Sequence, residues 1–415
     1  FGCLTFFIRF PLGWLQTLAL AGFWVLMEWS RLFFFTGFPW NPVGLALAAN
    51  PYSIQCAALF GVYGLCFWVI GVNLLALRAF LARRDLRRWA QWGLLALLPY
   101  GYGVAHRAVF SMGDQSSLKM SVGLIQTALR PEEREFFPSK PASCVHPLEQ
   151  WDRILSYVQE TKQQTFDLLV LPEGALPNGA KHCVYPLNAV QAIWERHFGA
   201  DSKGDLPPLT EPLARKGENG AYRVSNSFWL QALANRFQAE VVAGLDDFEE
   251  EDTYNAAFHF LPKKTAIERY EKRILIPVGE YIPFCQWEWM GQFLAEQFGI
   301  AHSFAVGKRV KVFQGAVPIG IFICLEEAYS HLGREIRRAG ARLFVNVTND
   351  VWFPETRLPW HHFDHGRLRA VENGIYLLRA CNTGVTAAID CFGDPQAVFP
   401  VSDKVAGVLQ TTIST

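Results

Sequence analysis

The sequence predicts an α/β domain, with sheets covered by helices, preceded by membrane-spanning helices. Two observations predict it. Within residues 1–110, long apolar runs almost free of charge follow one another. From about residue 118 to the end at 415, short continuous apolar runs alternate with segments of helical periodicity, the pattern of buried strands between helices.

The apolar runs come first. Residues 11–30, 52–77 and 89–105 each approach or exceed the stretch of about 20 residues needed to cross a bilayer. The third is short and contains Pro99, Gly101 and Gly103. Three such runs with aromatic ends fit about three membrane spans better than buried core helices. The chain opens on Phe1 and not on Met, so it reads as part of a larger membrane protein. Between the second and third runs lie Arg78, Arg83, Arg84, Arg87 and Arg88. Short basic loops stay in the cytoplasm, so the third span should carry everything after about residue 110 to the other side. The loop at 31–51 carries Arg31 as its only charge and holds the aromatic stretch FFFTGFPWNP, which suits an interface.

The segments SVGLIQT, DLLVLPE, EVVAGLDD, NAAFHFLP, VPIGIFICLE, RLFVNVT and TAAIDC then read as strands. LEQWDRILSYVQETKQQ, SNSFWLQALANRFQ, SHLGREIRRAG and HHFDHGRLRAVENG have helical periodicity with polar faces. Residues 178–222 are polar and rich in Pro and Gly, which predicts loop. Hydrophobic residues make up 51%, with 14 Trp and 33 Phe, which is rich for a wholly soluble protein. The 38 basic and 38 acidic residues cancel, so no field draws in nucleic acid. Nine cysteines without a CxxC pair indicate neither a zinc site nor a disulfide framework, and a bridge between Cys381 and Cys391 has no support in the spacing. Cys3, Cys56 and Cys66 lie in apolar stretches, where a thiol is a small hydrophobe.

Three apolar runs end on a chemically potent residue: Glu173 in LVLPEGALP, Lys272 before ILIPVGEYIPF, and Cys324 in GIFICLEEAYS. Each has an ordinary explanation alone, as a helix cap, a solvated charge or an inert core thiol. Together they are the parts needed to deprotonate a sulfur nucleophile, steady an oxyanion and pass an acyl group through a thioester. His361 and His365 share a helical face at a spacing that can bind metal, but no carboxylate stands at a familiar offset. A helix surface or a loop hinge explains them better.

With these residues in view the chain resembles the nitrilase superfamily and, within it, the apolipoprotein N-acyltransferase family of bacterial inner membranes. PEGALP, IPVGEYIPF, the Ile-Cys-x-Glu at Cys324, NVTNDVWF, GRLRAVENG and RACNTGVTAAIDCFG are similar to that family's stretches, and TGFPWNP to its membrane loop. The resemblance implies a four-layer α-β-β-α sandwich facing the periplasm, with Glu173 as general base, Lys272 as oxyanion stabiliser and Cys324 as nucleophile. It implies support from Glu280 and Glu326, a backbone N–H of Leu325 in the oxyanion hole, and mobile loops bearing Trp352 and Trp360. Phospholipid as acyl donor, an apolipoprotein as acceptor and the bilayer are the implied partners, with neither cofactor nor metal. Leu325 stands where the family commonly has Tyr. After Gln126, TALRPEEREFFP offers only Phe136 or Phe137 in place of the family's Trp, and the chain ends at VLQTTIST where the family has a further span. Two alternatives stay open: a membrane-tethered amidase or nitrilase-type hydrolase, in which water is the second nucleophile, and a non-catalytic membrane scaffold that retains the fold.

Overall fold

In a strand with helices on one side and a second sheet on the other, both faces must be apolar, and the strands here obey that rule residue by residue. The computed structural model describes residues 13–34, 37–82, 84–111, 118–134, 143–161, 165–250, 252–283, 287, 289–293, 303–352, 356–402 and 404–415. Its first sheet has the order β15-β1-β2-β6-β7-β8, built from β1 (Lys119–Gln126), β2 (Leu168–Leu171), β6 (Glu240–Glu249), β7 (Asp252–Phe260), β8 (Glu268–Glu271) and β15 (Gly407–Ser414). The second has the order β14-β13-β12-β11-β10-β9, from β9 (Val312–Phe313), β10 (Ile319–Ile323), β11 (Leu343–Thr348), β12 (Leu377–Cys381), β13 (Ala387–Ile389) and β14 (Pro395–Val398). In each sheet three adjacent strands run parallel, β1, β2 and β6 in one and β10, β11 and β12 in the other, with antiparallel strands outside them.

Alternate residues of each strand point to opposite layers. Val122, Leu124, Leu168, Val170 and Val242 meet Ile319, Ile321, Ile323, Val345 and Val347 between the sheets. Leu169, Leu171, Val241, Ala243 and Leu245 face the other way, onto α4 (Pro147–Gln159), α5 (Leu187–Phe198) and α6 (Asn226–Phe237). There Trp151 stacks on Trp229 with ring centroids 5.1 Å apart. Phe322 and Phe344 of the second sheet face α7 (Ser330–Arg338) and α8 (Leu358–Asn373). The result is the α-β-β-α sandwich, and every strand and helix named from the sequence in this part of the chain is present.

One expectation fails. Residues 178–222 are not loop: they contain α5, a 3-10 helix at Ala200–Asp205, and a small sheet of β3 (Tyr185–Pro186), β4 (Ala214–Lys216) and β5 (Tyr222–Val224) in the order β3-β5-β4. LNAVQAIWERHF buries Val190 and Trp194 on one face, and its Pro186 N-cap and Gly199 C-cap are helix boundaries that in composition alone look like loop. Cys381 and Cys391 are not joined in a disulfide. Cys3, Arg83, Phe136 and Phe137 lie outside the described residues.

Among the described residues three α-helices precede β1: α1 (Trp14–Ser30), α2 (Ala57–Leu81) and α3 (Leu86–Ser111). Among the described residues one helical segment, Ser53–Leu81, is long and apolar enough to cross a membrane, where the sequence predicts three spans. The described part of α1 is 17 residues, and α3 carries Pro99, Arg87, Arg88 and Arg107 within it. Their outer faces are nevertheless apolar, with Leu15, Leu26, Phe60, Leu94, Leu97 and Val109 all exposed. The second helix breaks at Gly61, where φ is 63°. There Glu372 of α8 takes over as its cap: one carboxylate oxygen accepts Val62 N–H at 2.8 Å, the Ser330 hydroxyl at 3.1 Å and Arg369 at 3.1 Å. The stretch Val62–Leu81 beyond the break is about 30 Å long at the helical rise per residue, the thickness of a bilayer's hydrocarbon core. Leu368 and Val371 of α8 pack against Val62, Leu65 and Cys66 beside this joint.

Candidate active site

The parallel strands end at one edge of the sandwich, the edge where open α/β sheets place their ligands. Pro172 ends β2, and the chain turns directly over β6. Glycine is required at 244 in β6, since a Cβ there would lie 2.6 Å from Glu173 Cα and 2.7 Å from Pro172 O. Gly174, with φ at 53°, completes the turn, and Glu173 ends up buried. Lys272 immediately follows β8, its N–H donating to Asn255 O at 2.8 Å.

The Lys272 ammonium is fully buried between two carboxylates, 3.2 Å from Glu173 Oε1 and 2.7 Å from Glu280 Oε1. Asn255, on β7, donates to the same two oxygens at 2.7 and 2.8 Å. Glu280 Oε2 accepts Ile276 N–H at 2.9 Å, while the Lys272 and Asn255 contacts to Glu173 are both made at its Oε1. Burial alone would pull the Lys272 pKa down, but the charges of Glu173 and Glu280 outweigh it and hold it well above the usual lysine value.

Cys324 follows the last residue of β10 and opens a 3-10 turn, Cys324–Ala328. Its φ is 55°, a left-handed conformation that costs a non-glycine residue about 1–3 kcal/mol and clusters at functional sites. Burial pushes the thiol pKa up, the charge of Glu173 adds to that, and Lys272 opposes it. A thiol, a carboxylate and an ammonium thus feel one another's charge at this edge of the sandwich.

Glu326 lies behind this arrangement. Its Oε1 accepts Arg273 N–H at 2.7 Å and Ile274 N–H at 3.2 Å, its Oε2 accepts Ile323 N–H at 2.9 Å, and the Tyr270 hydroxyl reaches both oxygens at 3.0 Å. One carboxylate thereby ties the backbone after Lys272 to the backbone before Cys324. Burial raises its pKa, and the donors from Arg273 and Ile323 oppose the rise. Leu325 is buried among Phe322, Tyr329 and Phe363, with Trp40 of the FPW loop beside them. Trp352 and Trp360 are exposed, one just beyond β11 and the other on the first turn of α8, its ring edge-on to Phe363 at 5.8 Å. The two imidazoles at helical spacing, His361 and His365, both converge on the Trp40 carbonyl oxygen, at 2.6 and 2.9 Å. Among the described residues no His, Cys, Asp and Glu cluster has the arrangement of a metal site.

Asn255 escaped the sequence reading, although a lone amide in the apolar strand YNAAFHF is a signal that a buried partner exists. His362 escaped as well: it approaches the Cys324 carbonyl at 3.2 Å, whereas the metal-like spacing belongs to His361 and His365.

Residues 142–414 match the carbon-nitrogen hydrolase family, and residues 1–75 match the apolipoprotein N-acyltransferase N-terminal domain. The apolipoprotein N-acyltransferase of Chlamydia pneumoniae is 32% identical over 414 residues, covering 95% of this chain and 70% of that protein. The chain belongs to the apolipoprotein N-acyltransferase family. Its namesake in Geobacter metallireducens is 28% identical over 390 residues, 91% of this chain and 65% of that one. Among solved structures, a CN-hydrolase superfamily protein from Xanthomonas campestris is 18% identical with a TM-score of 0.44, over 72% of this chain and 91% of that one. Membership of the apolipoprotein N-acyltransferase family accounts for both halves of the chain, the apolar helices and the sandwich.

Proposed function

We propose that the protein is a phospholipid-dependent acyltransferase that carries an acyl chain on Cys324 as a thioester and delivers it to the N-terminal S-diacylglyceryl cysteine of apolipoproteins. The observation that carries the reading is the burial of Glu173, Lys272 and Cys324 at one edge of the sandwich, beside helices with apolar outer faces. Glu173 takes the thiol proton, and the thiolate attacks the ester carbonyl of a phospholipid. The oxyanion of the tetrahedral intermediate forms beside Lys272 and the Leu325 N–H. Its collapse breaks the ester bond, and the departing alkoxide takes the proton from Glu173 to leave as a lysophospholipid. The α-amino group of the acceptor then attacks the thioester, Glu173 receives its proton, and the Cys324 thiolate departs and is reprotonated. Glu280 and Asn255 hold Lys272 and Glu173 in place, while Trp352, beyond β11, and Trp360, which lies on the first turn of α8 and not on the expected loop, stand exposed.

Residues 1–110 form the membrane region and residues 118–415 the catalytic domain on the periplasmic side of a bacterial inner membrane. The basic connection at Arg78, Arg84, Arg87 and Arg88 supports that orientation. Cys324→Ser tests the mechanism, because a hydroxyl is a far weaker nucleophile than a thiol near neutral pH while the change in size is small. The variant should keep its thermal unfolding profile and lose lipoprotein N-acylation, measured as the acyl mass added to a lipoprotein. Full activity would remove the thioester.

A further inference from the structure

The carbonyl oxygen of Cys324 is held by two side chains that the mechanism above does not use. Asn346 Nδ2 donates to it at 3.2 Å, and His362 Nε2 lies 3.2 Å from it. Asn346 is opposite Phe322 in the β10–β11 ladder, so it reaches the turn from the neighbouring strand. His362 reaches it from α8. Both are buried.

His362 is itself fixed from both ends. Its Nδ1 is 2.8 Å from Asp350 Oδ1, and its Nε2 is also 3.1 Å from Glu327 Oε1. Both ring nitrogens face acceptors, Nδ1 the Asp350 carboxylate and Nε2 the Cys324 carbonyl. Glu327 is paired in turn with Arg379, whose guanidinium lies 3.8 Å from Asp350 Oδ2. Two carboxylates, a guanidinium and an imidazole are thus buried side by side, with opposite charges adjacent.

In a trans peptide the N–H points opposite to the C=O. Anchoring the Cys324 carbonyl on Asn346 and His362 therefore turns the Leu325 N–H away from them. The same anchoring opposes relaxation of the left-handed φ at Cys324. We propose that Asn346 and His362 are positioning residues that set the plane of the Cys324–Leu325 peptide and thereby aim the Leu325 N–H at the oxyanion formed during acylation. The proposal rests on Cys324 being the residue that accepts the acyl group.

A clamp on the oxyanion donor separates two reactions of one thiol. Acylation by an ester needs the donor, whereas alkylation by iodoacetamide is a displacement with no oxyanion. The whole chain in detergent is treated with p-nitrophenyl butyrate or with iodoacetamide, and modification of Cys324 is followed by peptide mass spectrometry. Asn346→Leu removes one donor without stranding a charge and should slow acylation by about 100-fold, the loss typical for an oxyanion-hole donor. His362→Gln keeps an amide donor that can reach one acceptor, and should slow acylation less. In both variants alkylation should stay within about threefold of wild type, a fraction of the acylation loss given above. Acylation and alkylation falling together, or acylation unchanged in both variants, would overturn the proposal. The butyrate ester needs no lipid, so a wrong assignment of the phospholipid donor would leave this comparison intact.

Discussion

At the scale of single residues, the Cys324 thiol is held protonated by its surroundings. Burial and the charge of Glu173 push the Cys324 pKa above its ordinary value, and Lys272 only partly offsets them. The resting thiol is therefore protonated at neutral pH, and the sign of the shift predicts how it reacts without an enzymatic base. Alkylation of Cys324 by iodoacetamide should rise about tenfold per pH unit through the neutral and mildly alkaline range, following the thiolate fraction. A rate already level near neutrality would indicate a resting thiolate paired with Lys272. Glu173 and Cys324 were legible as candidates because each closes an apolar run, and Lys272 because it stands just before one. Other residues were less so: Asn255 and Asn346 make their contacts across strands and His362 from a helix, none of which a local pattern records, and Glu326, expected as a supporting residue, joins two backbone segments.

Elements deliver those residues, and two junctions decide how well. The first is the crossing of the Glu173 turn over β6. Gly244→Ala would place a methyl 2.6 Å from Glu173 Cα, so backbone must move. We expect a loss of about 1–3 kcal/mol, as for overpacking elsewhere, together with a lower yield of acyl-enzyme, read by thermal melting and by labelled-acyl incorporation. An unchanged yield would mean that the site tolerates displacement of Glu173. The second junction is the Glu372 cap on α2, which ties the apolar helix to the same α8 that carries His362. Strands and most helices were legible at this scale, since their residues alternate between two apolar layers. The exception, α5, shows why composition misleads: Pro and Gly at its ends mark a helix only when the apolar spacing between them is also weighed.

Across the whole molecule, the proposed reaction requires that a bilayer substrate reach a buried thiol. Asn219 is exposed on the turn between β4 and β5, so in Asn219→Cys an impermeant thiol reagent added to intact spheroplasts should label the new cysteine above the parent background. Labelling only after lysis would reverse the orientation drawn from the arginine-rich connection. The apolar outer faces of α1, α2 and α3 were legible as composition, but the count of spans was not, because Pro99 and the flanking arginines make α3 a helix that hydropathy alone does not place in lipid. The transferase and hydrolase readings share Glu173, Lys272 and Cys324 and differ in what attacks the thioester. If the apolar helices and the exposed Trp352 and Trp360 keep the loaded site closed to water, hydrolysis has no nucleophile until an amine arrives. Given phospholipid alone, the protein should then accumulate acyl-Cys324 with little free fatty acid, and should discharge it when a diacylglyceryl-cysteine peptide is added. Rapid fatty-acid release before the peptide is supplied would favour the hydrolase, because water would already have had access to the thioester.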